Sequence, residues 1–217
     1  MNKLTFIIAV LLLAVLSVKA QDSPFQKIMK KEIGKINKAD SLSQFQQSAN
    51  AFSRIAELNP TEWQPLYYQA LACTFQGMNH KLTPDKKDEA LAKAEELVKK
   101  AEAISADNSE IIALKGFITM AKVSADPAGR GQSLSGQALA EFGRSLAIDS
   151  KNPRALALMA QMEAGIARFF GSGTEKACSL AKQSMAIFAA QDEEALTAAM
   201  KPTWGKRIAE SMSKSCE

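Results

Sequence analysis

Three stretches of this chain carry the same phrase. Ser48, Phe52 and Ile55 lead into Asn59-Pro60; Ala94, Val98 and Ala101 lead into Asp107-Asn108; Ala138, Phe142 and Ser145 lead into Asp149 and Asn152. A small residue, a large apolar one four later, a small or apolar one three later and an acidic or prolyl stop make a helix with one apolar edge. Each phrase is followed by a further apolar-periodic stretch, at residues 63–76, 109–124 and 153–170. Recurrence at this scale is the mark of stacked supersecondary units. None of them hides its apolar face alone, and neighbours bury it jointly.

The local signals agree with helix almost throughout. Phe25, Ile28, Met29 and Ile36 sit at helical spacing, as do Phe45, Ala49, Phe52 and Ile55. Thr61-Glu62-Trp63-Gln64 has the form of a capping box. Thr83-Pro84 and Asn152-Pro153 read as an N-cap followed by proline at the first helical position. Over residues 84–105, Leu91, Ala94, Leu97, Val98, Ala101 and Ile104 form an apolar stripe. Glu89 with Lys93, Glu95 with Lys99 and Glu96 with Lys100 stand four apart on the solvated face. Gly77, Gly129-Arg130-Gly131, Gly136 and Gly171-Ser172-Gly173 read as turns.

These residues resemble the tetratricopeptide repeat. The phrase is similar to the small–aromatic–small pattern of that family's second helix, with its Asp/Asn-Pro ending. Leu66 with Ala70, Ile112 with Gly116 and Leu156 with Ala160 are similar to its first helix, where a small residue lets the two helices approach. The resemblance spans about residues 40–190. It implies an all-α, right-handed α-hairpin solenoid of about four helix pairs with a C-terminal capping helix. Repeat starts at Trp63, Ser109 and Pro153 are farther apart than the family's usual period. The excess is expected as loop around residues 78–87 and 126–135. A helix beginning at Thr203 is expected to close the stack, with Trp204 over the last apolar ridge. Gly205 inside it would mark close approach to residues 153–170 or 174–188. Together with the apolar N-terminal run over residues 4–18, the long intra-repeat segments and Pro202-Thr203-Trp204-Gly205-Lys206 near the end look like small exported helical-repeat proteins of Bacteroidota.

Export is read from the first twenty residues. Asn2-Lys3 precedes an uncharged apolar run over residues 4–18, and Val18 and Ala20 are the small residues that suit a signal peptidase. The run is shorter than the ~20 residues needed to span a bilayer. Residues 1–20 are therefore expected to be a signal peptide cleaved after Ala20, and residues 21–217 the helical domain, periplasmic or secreted and not stably inserted in a membrane. Loss of Lys3 and Lys19 leaves 25 basic and 23 acidic residues, a net charge of +2. That balance argues against nucleic acid as partner.

Little in the sequence points to catalysis. His80 is the lone histidine, in a Gly-Met-Asn-His-Lys turn, so neither a Ser-His-Asp nor a Cys-His arrangement can be assembled. Cys73, Cys178 and Cys216 match no metal motif. No catalytic residue, metal or cofactor is expected. Glu163 falls on a nominally buried position and is expected to pair with Arg168, Lys182 or Arg144. Cys178 and Cys216 are disulfide candidates, with Cys73 buried and free. The resemblance implies a concave groove lined by the first helices, taking a protein or peptide. In this sequence it maps to Tyr67, Leu71, Thr74, Phe117, Met120, Gln161 and Arg168. The expected function is a non-catalytic interaction scaffold in the cell envelope. A self-associating structural repeat and an envelope enzyme acting on peptidoglycan or polysaccharide stand as alternatives.

Overall fold

The structure, a computed structural model, describes residues 22–216; the expected signal peptide lies outside them. Ten helices and no strand occur among the described residues. They are α1 (Pro24–Ile36), α2 (Leu42–Leu58), α3 (Trp63–Gly77), α4 (Pro84–Ile104), α5 (Ser109–Ala125), α6 (Pro127–Ile148), α7 (Pro153–Phe170), α8 (Glu175–Ala190), α9 (Glu193–Ala198) and α10 (Lys206–Lys214). Successive helices pack as adjacent pairs, α3 on α4, α5 on α6 and α7 on α8. The architecture is an all-α helical repeat.

Caps place the helix starts. Ser23 accepts from the Gln26 amide, Asn108 from the Glu110 amide, and Asn152 from the amides of Arg154 and Ala155. Pro127 and Pro153 occupy the first turns, where a missing amide costs least. The box expected at Thr61 does not form. Helix α3 begins at Trp63, so Gln64 lies one position too early to reach back, and its side-chain oxygen is buried without a partner.

The first and middle hairpins share one core. Phe52, Tyr67, Tyr68, Leu71, Leu91, Ile111, Leu114, Phe117 and Phe142 are each at most 1% exposed. The stripe on α4 is buried from Leu91 to Ala101, while Ile104 remains 38% exposed. Its acids pair otherwise than spacing suggests: Glu89 with Lys86, and Glu95 across to Lys122 on α5.

Gly116 shows why a small residue is needed where α5 meets α6. A Cβ there would stand 2.6 Å from the buried ring of Phe142, so α5 and α6 approach closely only because it is absent. We expect Gly116→Ala to destabilise the fold by about 1–3 kcal/mol, as over-packing does, despite alanine's better helix propensity. Urea unfolding measures this; a stabilised variant would show that Phe142 swings aside freely.

One expected loop is helix instead. Gly129-Arg130-Gly131 and Gly136 lie inside α6, and Asp126 alone separates α5 from α6. Asp126 caps the helix by accepting from the Gly129 amide. Arg130 makes a two-pronged pair with Asp88 of α4, at 2.6 Å for each prong. The capped start and the ion pair help, and packing of Ala138 and Phe142 against α5 holds the helix despite its glycines. The extra repeat length is therefore carried by long second helices, of 21 residues in α4 and 22 in α6.

A crevice beneath the C-terminal strap

The resemblance implied an open groove lined by seven residues, and the structure buries five of them. Tyr67, Leu71 and Thr74 are 0% exposed, Phe117 1% and Met120 4%. They are covered by the chain itself. After α9, residues 199–205 run as a strap across the first helices. Trp204 stacks on Phe117 at 5.5 Å and its indole N–H donates to the Tyr67 hydroxyl at 2.9 Å. The Tyr68 hydroxyl donates to the Lys201 carbonyl, and the Asn37 amide to the Thr203 hydroxyl. Thr74 is spent within α3, donating to the Ala70 carbonyl. Gln161 and Arg168 are exposed on α7, and neither is part of this core.

Backbone geometry at both ends lets the strap turn. Met200 has φ 54° and Gly205 has φ 103°. Gly205 is the N-cap of α10 rather than an interior residue of a longer helix. A Cβ on it would stand 2.8 Å from Arg154 Cγ and 3.2 Å from the Phe188 ring, so close approach to both α7 and α8 is real. Arg154 is 2% exposed. It forks onto Glu110 at 2.7 and 2.6 Å, donates to the Trp204 carbonyl, and lies 5.9 Å from the centre of the Phe188 ring.

Burial pushes the hydroxyls of Tyr67 and Tyr68 well above the ordinary tyrosine range. Both therefore stay protonated as hydrogen-bonding groups. The Cys73 thiol, buried and free, is pushed up by burial to about 11. Cys178 on α8 and Cys216 just beyond α10 are joined as a disulfide, with Cα atoms 5.6 Å apart. Glu163 is paired, with Lys176 at 2.5 Å rather than with Arg168, Lys182 or Arg144. His80 is exposed in its turn.

A crevice of about 200 Å³ lies between the end of α1, the start of α2, the end of α3, the strap and the start of α10. Its aromatic wall is Phe45 against Phe75 at 5.1 Å, with Trp204 edge-on to Phe75 at 6.3 Å. Phe45 and Phe75 are half-buried. Lys206 and Arg207 stand exposed at its rim, in no ion pair among the described residues. The Asn37 side-chain oxygen lines it, buried and without a hydrogen-bond partner. An aromatic slot rimmed by two cations suits an amphiphilic, flat anion. Sequence reasoning missed Phe45, Phe75, Lys206 and Arg207 as neighbours. Phe45 and Phe75 read as helix-face apolar residues, and nothing local links them to the chain terminus.

The fold and crevice define a stack of helical hairpins closed over its own C-terminal strap. No protein-family model matches the chain, and no curated protein matches it. Among solved structures the chain is similar to the HusA haemophore from Porphyromonas gingivalis, a member of the Bacteroidota. Identity is 26%, the match covers 91% of this chain and 95% of that one, and the TM-score is 0.79.

Proposed function

We propose that this chain is an exported, non-catalytic binding protein whose ligand is haem or a related porphyrin, held at the strap crevice. The observation that carries this is the aromatic slot rimmed by Lys206 and Arg207, in a fold similar along nearly its whole length to a haemophore. Phe45 and Phe75 would meet the ring, since flat π-systems stack offset or edge-on with aromatic side chains. Lys206 and Arg207 would pair with the propionate carboxylates, and Arg in particular suits a carboxylate's two oxygens. The crevice lining contains no His, Cys, Met or Tyr. Recognition on this reading rests on the ring and its carboxylates. Hairpin stacking of the tetratricopeptide kind, cleavage after Ala20 and residence in the periplasm or outside the cell belong to the same proposal. No helix among the described residues is long and apolar enough to cross a membrane.

Titrating hemin into the mature chain and following its Soret band tests the reading. Saturable binding is expected, with metal-free protoporphyrin competing at comparable affinity. Lys206→Glu/Arg207→Glu changes only exposed side chains and is expected to weaken binding at least about tenfold, or about 1.4 kcal/mol. A hemin titration that does not saturate, or a double variant that binds like the parent, would overturn the assignment.

A protein partner is the second reading, favoured by one observation. Phe169 and Phe170, at the end of α7, are 84% and 74% exposed, and their rings pack on each other at 5.0 Å. Paired exposed aromatics of this kind mark protein-contact surfaces.

A further inference from the structure

We propose that the cleft between α1 and α2 is a docking site for an extended acidic segment of a partner protein. It is separate from the strap crevice: the α1–α2 turn divides them, with Lys38 facing the cleft and Asn37 and Ala39 facing the crevice. The cleft measures about 850 Å³, roughly four times the crevice.

Charge is the first ground. Five cations line the cleft against one acid, Glu32. Lys30 is engaged by Asp22 and Lys35 by Glu32. Lys31, Lys38 and Arg54 are exposed and in no ion pair among the described residues. Lys31 and Lys35 stand four apart on α1, a like-charge spacing that works against the helix. An arrangement that opposes folding and leaves cations unpaired fits a polyanion supplied from outside.

The second ground is a gap that packing does not explain. Gly34 sits in the last turn of α1, where glycine still weakens the helix relative to alanine. A Cβ there would meet nothing within 4 Å, and its φ is not in the left-handed region. The fold therefore places no steric demand for glycine at this position, yet Gly34 lines the cleft, which any larger side chain would narrow.

The walls decide the class of anion. Gln47 and Asn50 of α2 present side-chain amides that form no hydrogen bond among the described residues. Side-chain amides both donate and accept, which matches the alternating N–H and C=O groups of an extended peptide. No aromatic side chain lines the cleft, so it lacks a stacking platform for a sugar or a flat ring. Acidic side chains would meet Lys31, Lys38 and Arg54 while the peptide backbone meets the α2 amides.

The test uses the mature chain and a fluorescein-labelled Glu-Ser repeat peptide, read by anisotropy, with a Lys-Ser repeat and a sulfated polysaccharide as comparators. Expected are saturable binding of the acidic peptide, weakening with added salt, and none of the basic one. Gly34→Leu, whose thermal stability is expected to equal or exceed the parent's, should lose affinity at least about tenfold, as should Lys31→Glu/Arg54→Glu. Hemin titration of both variants is expected to match the parent, which keeps this outcome apart from that of the crevice. Absence of peptide binding, unchanged binding by a folded Gly34→Leu, or tighter capture of the polysaccharide than of the peptide would each overturn the proposal.

Discussion

Arg154→Ala is expected to cost about 3–5 kcal/mol of stability, the range for breaking a buried ion pair by removing one partner. Arg154 is 2% exposed and its guanidinium meets Glu110 at two points. Glu110 belongs to the first turn of α5, where the helix dipole favours a negative charge, and its side chain is 20% exposed. Removing the arginine leaves that carboxylate largely desolvated and unpaired. The same change removes the donor to the Trp204 carbonyl and the packing against Gly205. Arg154→Lys should recover little, because an ammonium cannot fork onto both carboxylate oxygens. The double variant Arg154→Met/Glu110→Gln should be much milder, since it removes both charges and keeps most of the volume. Urea unfolding of the three variants decides. A single Arg154→Ala loss below about 1 kcal/mol would show that the pair does not clamp the strap.

Removing the disulfide should have an effect of similar size. Cys178 and Cys216 are 38 residues apart in sequence. In the chain-entropy account, closing a loop of that length restricts the unfolded chain by about 4 kcal/mol. For a domain of this size the midpoint of thermal unfolding should fall by roughly 10 °C. The loss should be local in character. Helix α10 has 9 residues, too few to stand alone, and is held by packing of Ile208 and Ala209 against α7 and α8 besides the bridge. In Cys178→Ser/Cys216→Ser the strap should loosen first, and Trp204 emission should shift to the red before helicity falls. Coincident loss of both signals at the parent's midpoint would sink this account.

The candidate site was legible only in part. The resemblance mapped a groove onto α3 and α5, and Tyr67, Leu71, Phe117 and Met120 instead share one buried core. Their exposure was misjudged because the strap that covers them is bound at very long range. Tyr68 meets Lys201 over 133 residues, Trp204 meets Tyr67 over 137, and Asn37 meets Thr203 over 166. An extended segment without periodicity gives no sequence signal for where it will lie. Glycines misled at α6 for the opposite reason. Propensity is a local, weak term, and packing of α6 on α5 through the buried Ala138 and Phe142 overrode it.

By itself the sequence determined the helical hairpins, through caps at Asn108 and Asn152, apolar stripes on α4, and the small residue at Gly116 that allows α5 onto α6. These features act between neighbours along the chain, so spacing reveals them. Only the tertiary structure decided that the mapped groove positions are buried, that Arg154 is buried in an ion pair while Glu163 is only half-buried, and that Phe45, Phe75 and Arg207 share a crevice. Each of those depends on where the last segment folds back, and that is set by packing between residues more than a hundred positions apart.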